Sequence, residues 1–390
     1  MEQNTAKMEK ARSWCELSKS ALQHNIKQIS KSIPKGVAIF TVIKANAYGH
    51  GAEWVAKIAL ACGSEYLAVA CVNEAIALRD AGIESPILVL SPYHPGFAEF
   101  LIEYNITQTI CSAFDAESLA KDIDSSQTIK KNPSVKIHLK LDTGMNRIGF
   151  SVKKSDQAET ISQILKIIKK PIFDVEGIFT HFAVADDPSN EFTKIQYLRF
   201  QSIINQLSKE GLSFKYKHCA NSAASFFFPD MAMDAVRIGI SMYGWCPNPE
   251  IKRQLKLKPV MSFYSRISSI HETGARDPVG YGLTYTTDKV TRVGTIESGY
   301  ADGFDRHLSN SGILMLKGRD VPIIGRICMD RTMLDLTNFS DVEVGEKVLV
   351  FGLDEDNNYR DLDELAAQAG TISYDILCRI SNRIPKIYID

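Results

Sequence analysis

Between residues 37 and 240, short apolar runs alternate with segments whose apolar residues recur at helical spacing. Eight such runs can be counted: VAIFTVIK ending at Lys44, EYLAVAC at 65–71, PILVL at 86–90, TQTIC at 107–111, VKIHLKL at 135–141, DVEGIFT at 174–180, FKYKHC at 214–219 and DAVRIGI at 234–240. Most are rich in β-branched residues and close to continuously apolar, the pattern of parallel strands covered on both faces. Over residues 194–207, Ile195, Leu198, Ile203 and Leu207 recur on one side, which predicts a helix with those four facing the core. Eight β-α units in roughly 200–250 residues is the arithmetic of a (β/α)8 TIM-like barrel. A doubly wound open sheet alternates in the same way, so the count favours the barrel without proving it.

The pattern changes after about residue 256. MSFYSRISSI, KVTRVGTIES, GILMLKG, DVPIIGRICM, RTMLDLT and EKVLVFG are short strand-like runs separated by Gly, Asp and Asn turns. Only RDLDELAAQAG, 360–370, has a clear helical pattern, closed by Gly370 as a C-terminal cap. The α/β chain therefore divides into a barrel over 1–256 and a mostly-β domain over 257–390, with the first residues free to pack on the second domain. The Pro-containing stretch GWCPNPEIKRQLKLKP, 244–259, is the natural linker.

Composition narrows the function classes. With 45 Lys+Arg against 46 Asp+Glu and no long basic run, the chain offers no broad surface for nucleic acid. Hydrophobic residues at 45% exclude disorder for the bulk of the chain. No apolar stretch approaches the ~18 residues of a membrane span, and the polar start MEQNTAKMEKARSW has no apolar core of a secretory signal. The eight cysteines form no CxxC pair, and several sit inside apolar runs, which reads as buried reduced thiols. A cytoplasmic protein acting on small molecules is expected.

In a (β/α)8 barrel the chemistry sits at the C-terminal ends of the strands. Lys44 closes the first run and precedes ANAYGHG. A lysine leaving an apolar strand for a Gly-containing turn suits Schiff-base chemistry, because desolvation lowers its pKa; a solvated strand-end lysine is the plain alternative. Arg147 follows strand five in a turn containing Gly144 and Gly149, and His181 closes strand six. Arg237 lies inside strand eight and must have a partner, since a lone buried cation is too costly. Asn221-Ser222, where strand seven meets a helix start, and Gly239-Ile240, at the end of strand eight, suggest an anion site of the kind this fold builds from loops seven and eight. Ser222 by itself reads as a plain N-cap. A lysine, a phosphate cradle and a strand-eight arginine on one barrel face point together to pyridoxal phosphate. GYGLTY, 280–285, begins like a dinucleotide fingerprint but has Tyr285 in place of the third Gly and no βαβ unit follows. The eight histidines never pair at ligand spacing, so no metal site is expected.

TVIKANAYGHG, HLKLDTGMNRIGF, THFAVAD, CANSAA, VRIGISMYG, VGYGLTYTT, SGYADGF, GRICMDRTMLDLT and TISYDILCRISNRIPKIYI resemble the motifs of bacterial alanine racemases, in matching order, from about residue 35 to the C-terminus. The resemblance implies a pyridoxal 5'-phosphate isomerase acting on alanine, built as a head-to-tail homodimer with shared active sites. It implies that Lys44 holds the cofactor and exchanges the proton of the D-isomer. Tyr281, contributed by the other subunit, would serve the L-isomer from the opposite face. A free tyrosine titrates near ~10 and needs help to act as a base at neutral pH. His181 and Arg237 resemble the family's hydrogen-bond chain to that tyrosine and to the pyridine nitrogen. An arginine there donates a hydrogen bond and leaves the nitrogen unprotonated, a weaker electron sink than an acid-paired pyridinium. By the same resemblance the phosphate group is held by Tyr48, Ser222, Gly239, Ile240 and Tyr374, with Asn221 in the same cofactor site. Arg147 would hold the cofactor phenolate and the substrate carboxylate, and Lys140 matches the lysine often carbamylated to position it. The Met329 backbone amide, from the other subunit, would contact the substrate carboxylate, and Tyr300 resembles an entrance residue. Two departures stand out: Asn146 replaces the Gly common in TGMGR, and Arg331 replaces the Gln often seen in MDQTM.

Three other readings stay open at this level. A racemase of the same fold with broader amino-acid specificity would share every motif. A decarboxylase of similar architecture would be expected to pair the pyridine nitrogen with an acid, where strand eight offers Arg237. A pyridoxal-phosphate carrier protein would bind the cofactor without turnover, but would stop after the barrel and lack a counterpart of Tyr281. A racemase supplying D-alanine for peptidoglycan is the reading that uses all the motifs.

Overall fold

The chain enters through the sheet of its second domain. In the computed structural model, which describes residues 11–129, 134–246 and 248–390, β1 (Ser13–Ser18) pairs antiparallel with the strand at Met261–Thr273 and parallel with the last strand, Lys386–Ile389. Ser18 then caps α1 (Lys19–Ser32), its hydroxyl accepting from the Ala21 amide at 3.0 Å. This helix packs on the barrel through Leu22, Ile26 and Ile29.

Each of the eight apolar runs becomes a strand: β2 (Ala38–Val42), β3 (Tyr66–Val69), β4 (Ile87–Val89), β5 (Thr107–Ile110), β6 (Val135–Asp142), β7 (Phe173–Phe179), β8 (Tyr216–His218) and β9 (Ala235–Ile238). They pair in parallel in chain order, and β9 returns to β2 with Ala235 opposite Ala38, so the sheet closes on itself. Closure decides for the barrel over an open doubly wound sheet. Where barrels of this kind usually stack branched aliphatic residues, this interior carries rings. Phe40 stacks on Tyr66 at 4.6 Å, and His138, Tyr216 and His218 crowd around them.

The helix expected over 194–207 is α2 (Phe192–Lys209), but its buried face is rotated from the one its apolar residues suggested. Ile203 and Leu207 are buried, together with Phe200 and Gln196, whereas Leu198 is 62% exposed and Ile195 42%. Gln196 explains the rotation. Its amide donates to Thr143 Oγ1 at 3.1 Å and the His181 carbonyl at 3.2 Å, and its oxygen accepts the Ala183 amide at 2.9 Å. Three hydrogen bonds to loop groups outweigh the solvent exposure of two aliphatic side chains. After β8 comes the short helix α3 (Ser222–Phe227), and the stretch expected as linker contains α4 (Pro249–Leu255).

The second domain is a mixed sheet of β10 (Met261–Thr273), β11 (Thr291–Ile296), β12 (Ile313–Leu316), β13 (Arg319–Pro322), β14 (Thr332–Asp335), β15 (Lys347–Leu353) and β16 (Lys386–Ile389), with β1 between β10 and β16. The expected helix is α5 (Leu362–Gln368), followed by Gly370 at φ +68°. A second helix that periodicity did not show, α6 (Ser373–Arg379), follows at once, burying Ile376 and Leu377. It carries Tyr374 to the barrel mouth. The thiols divide: Cys15, Cys111, Cys219 and Cys246 are buried, whereas Cys71 and Cys378 are exposed. Among the described residues no helix is long and apolar enough to cross a membrane.

Asn25 on α1 ties the first helix to the crossing between domains. Fully buried, it donates to the carbonyls of Met242 at 3.0 Å and Lys258 at 2.7 Å and accepts from the Lys258 amide at 2.8 Å. Asn25→Ala leaves one buried and two part-buried backbone groups without their partner and should cost about 1–3 kcal/mol. Urea unfolding, with a lowered midpoint and an unchanged slope, checks this.

Candidate active site

A cavity of about 750 Å³ opens at the C-terminal ends of the barrel strands. Lys44 and Tyr48 reach it from the turn after β2, Lys140 from β6 and Arg147 from the loop beyond. His181 follows β7, Asn221 and Ser222 follow β8, and Arg237, Gly239 and Ile240 come from the end of β9. Tyr374 arrives from α6, the one lining residue among these that the second domain supplies.

The turn that presents Lys44 is unusual. Ala45, Asn46, Ala47 and Tyr48 all have left-handed backbone, with φ of 52°, 52°, 56° and 52°. Without a glycine among them, such conformations cost roughly 1–2 kcal/mol per residue. Side-chain acceptors hold the turn: Glu74 takes the Ala45 amide at 2.6 Å and the Ala70 amide at 2.7 Å, and Asn46 Oδ1 takes the Ala52 amide at 2.8 Å. The tight reversal brings the Lys44 amine and the Tyr48 ring to the same cavity. Glu74 was not legible as a site residue, because nothing local distinguishes it from any helix glutamate.

Cations dominate the lining. Lys44, Lys140, Arg147 and Arg237 face Asp186 as the carboxylate among the lining residues. Burial, reinforced by Arg147, holds the Lys44 amine below its ordinary range. Burial and then Arg237 bring Lys140 down to about 8. Its ammonium lies 4.9 Å above the Phe179 ring, and among the described residues no carboxylate is within ion-pair distance of it. A cavity with this charge excess favours an anionic ligand.

Arg237 is fully engaged at both terminal nitrogens. Nη1 donates to His218 Nδ1 at 2.8 Å and the His218 carbonyl at 3.2 Å; Nη2 donates to the carbonyls of Thr180 at 2.7 Å and Cys219 at 3.1 Å, and to His181 Nδ1 at 3.2 Å. Among the described residues Nε–H has no protein acceptor, and remains for a ligand. Every acceptor of this cation is neutral, and burial lowers its pKa to about 10, so it stays protonated at neutral pH. Because an arginine can only donate, His181 Nδ1 must accept, which leaves the His181 proton on Nε2. Burial and Arg237 hold His181 well below its usual pKa, so the ring is neutral.

The anion cradle is made by close approach. Asn221 caps α3, its oxygen accepting the Ala224 amide at 3.0 Å, so the capping role that Ser222 alone suggested belongs to its neighbour. Ser222 Oγ instead accepts the Gly239 amide at 3.0 Å, joining the loops after β8 and β9. A Cβ on residue 239 would stand 2.8 Å from the Tyr48 hydroxyl, so only glycine admits that hydroxyl here. Hydroxyls of Tyr48 and Ser222 and the start of the 3-10 turn at Ile240 thus surround one small volume.

Asp142 shapes the loop that carries Arg147. Its carboxylate accepts the amides of Gly144 at 2.9 Å, Asn146 at 3.0 Å and Arg147 at 3.0 Å. Asn146 has φ +54°, which accounts for Gly being common there and for Asn, the non-glycine residue most tolerant of that region, replacing it. Asp-Thr-Gly is a turn signal that could have singled out Asp142.

Three expected residues lie outside this cavity. Tyr281, Met329 and Tyr300 are 71%, 53% and 43% exposed on the β domain. The Tyr300 amide bonds the Cys328 carbonyl at 3.0 Å and the Ala301 amide the Met329 carbonyl at 3.0 Å, which sets Tyr300 beside Met329. The Tyr281 turn abuts the same loop, where Gly282 packs against the Arg326 side chain. Arg331, at the far end of that loop, is exposed.

Comparison with known proteins places this geometry in a family. The family model "Alanine racemase, N-terminal domain" matches residues 17–247 and "Alanine racemase, C-terminal domain" matches residues 260–388. The chain is 41% identical over 378 residues to the alanine racemase of Clostridium tetani, covering 96% of this chain and 95% of that one. It is 39% identical over 377 residues to that of Desulforamulus reducens, covering 96% and 98%. Among solved structures, alanine racemase of Clostridium difficile 630 superposes with a TM-score of 0.88 at 36% identity, covering 97% of this chain and 96% of that one. The Bacillus anthracis enzyme with bound L-Ala-P gives 0.88 at 36% identity, covering 97% and 95%. With both domains matched in order and nearly end to end, the chain belongs to the alanine racemase family.

Proposed function

We propose that this chain is a pyridoxal-phosphate-dependent alanine racemase interconverting L- and D-alanine. The observation that carries this reading is the joining, in one cation-rich barrel mouth, of a desolvated lysine, a glycine-gated hydroxyl cradle and a buried arginine with one N–H unused. Those features fit the cofactor's aldehyde, phosphate and ring nitrogen in turn. When bound, pyridoxal phosphate supplies an electron-withdrawing ring that acidifies the substrate Cα–H bond.

The protein's own groups then divide the proton work. Lys44, its ammonium disfavoured by burial and Arg147, offers a neutral amine on one face of the substrate carbon. The opposite face needs a second base. Tyr281, exposed on the β domain beside Met329 and Tyr300, is available to a second copy, so a homodimer with shared sites completes both cavities. His181, with its proton on Nε2, would donate to the Tyr281 oxygen and stabilise the phenolate form. Arg237 donates and cannot accept, which keeps the ring nitrogen unprotonated and limits how much negative charge the ring withdraws. Reprotonation by Lys44 or Tyr281 would then be quick, which suppresses side reactions. Arg147, aimed by Asp142, holds the substrate carboxylate, and the Met329 amide of the second copy does the same from across the interface. Lys140, brought down to about 8 and with no carboxylate within ion-pair distance among the described residues, can add CO2 at its neutral amine, releasing one proton and forming a carbamate that would pair with Arg147. Such an enzyme supplies D-alanine for peptidoglycan in the cytoplasm.

Incubation with L-alanine in D2O should racemise it with α-deuterium incorporation, far faster than serine or lysine; faster turnover of another amino acid would move the substrate and keep the mechanism. Tyr281→Ala should keep the bound cofactor and lose roughly 10²–10⁴-fold in kcat, whereas Lys44→Ala loses covalent attachment; the cofactor absorbance separates the two. Mixing these variants should restore part of the activity, and folded mixed dimers without activity would overturn the shared site. With 13C-bicarbonate, a carbamate carbon signal is expected at pH 9 and absent in Lys140→Gln. At fixed dissolved CO2 its intensity should fall about a hundredfold per pH unit well below the Lys140 pKa, since protonation removes the reactive amine and carbamate formation releases a further proton.

A further inference from the structure

From Arg237 a file of buried polar side chains runs down the barrel axis to the opposite end. His218, which takes the Arg237 proton donor at Nδ1, meets His138 Nδ1 through its own Nε2 at 2.9 Å. His138 Nε2 faces Glu176 Oε2 at 3.5 Å, a long electrostatic contact, and among the described residues it has no other polar partner. Glu176 also accepts the Tyr66 hydroxyl at 2.9 Å and pairs with Lys215 at 3.1 Å, whose side chain is 63% exposed at the N-terminal end of β8. The barrel makes room for this file at a glycine: a Cβ on residue 177 would lie 2.6 Å from the His138 ring.

The direction of every hydrogen bond follows from the arginine. Arg237 can only donate, so His218 Nδ1 accepts and its proton sits on Nε2. That proton goes to His138 Nδ1, which places the His138 proton on Nε2, pointing at the carboxylate. Burial, then Arg237, keeps the His218 ring neutral, and burial keeps His138 neutral. Burial opposes ionisation of Glu176, yet donors from His138, Lys215 and Tyr66 bring it down to about 2. The file is thus a guanidinium and a carboxylate joined through two neutral imidazoles of fixed tautomer. Every direct acceptor of Arg237 being neutral, Glu176 is the nearest formal counter-charge in that line.

We propose that Glu176 is a positioning residue which, through His138 and His218, holds Arg237 as a fixed donor toward the ring nitrogen of the cofactor. The proposal rests on the racemase reading for its effect on turnover, and on the imidazole tautomers for itself. Losing the carboxylate lets His138 place its proton on either nitrogen; with the proton on Nδ1 it clashes with the His218 donor, and Arg237 loses its seat.

Glu176→Gln in the full-length protein, labelled with 15N-histidine, is the test. In the wild type, His218 and His138 should both show neutral rings protonated at Nε2. In Glu176→Gln, mixed tautomers are expected at both, with kcat for alanine lowered about tenfold and KM within twofold, and Glu176→Asp should restore the wild-type imidazole pattern. A wild-type His218 protonated at Nδ1, or a folded Glu176→Gln with unchanged imidazole signals and kcat, would overturn the proposal. Should Glu176→Gln not fold, Tyr66→Phe removes one donor to the carboxylate and keeps the ring; it must shift the His138 signal, and an unmoved signal counts equally against the link. Wild-type protein that binds no pyridoxal phosphate or leaves alanine unracemised would overturn the racemase reading, while the imidazole spectra still decide the role of Glu176.

Discussion

A guanidinium buried without a carboxylate beside it sets the terms for the rest of the site. Arg237 satisfies its terminal N–H groups with three carbonyls and two imidazole nitrogens. Those acceptors come from the ends of β7 and β8, and Arg237 itself from β9, so the cation fixes three strands at one level. It also dictates which nitrogen of His181 and of His218 carries a proton. Phe179 completes the seat, stacking on His218 at 4.8 Å and lying under both Arg237 and Lys140. An isolated charge at such depth would be prohibitive, and here hydrogen-bonded neutral partners and ring faces offset the lost hydration.

Burial, and after it the same economy of anions, explains the neighbouring lysines. With Arg237 and Arg147 in place and Asp186 as the lining carboxylate, each further ammonium is disfavoured. Lys44 and Lys140 are therefore drawn toward their neutral forms by position and not by any special feature of their own. The backbone contributes in a different way. A four-residue left-handed turn is unfavourable in isolation, and Glu74 and Asn46 hold it by taking up its amides. The strain resides where the Lys44 side chain enters the cavity from a strand end.

The two domains are less separate than their composition. The first strand belongs to the last sheet, the last helix supplies Tyr374 to the barrel mouth, and Asn25 clasps the crossing chain. Tyr281, Tyr300 and Met329 are exposed and do not line the cavity of their own chain. A surface that gathers them around one loop gives a reason for the β domain beyond supporting the barrel.

Much of this was legible in the chain itself. Eight apolar runs located eight strands, because residues covered on both faces of a parallel sheet leave a nearly continuous hydrophobic signature. Motif residues at strand ends marked Lys44, Arg147, His181 and Arg237, since the fold places strand ends at one rim. Closure of the barrel, the rotated face of α2, the helix at 373–379 and the tautomers of the buried histidines were not legible. Each depends on partners distant in sequence: β9 meeting β2, Gln196 reaching Thr143, Tyr374 crossing from the second domain, and an arginine imposing direction on rings from two other strands. Local pattern reports which residues avoid water; only the tertiary structure decides which polar groups they are buried with.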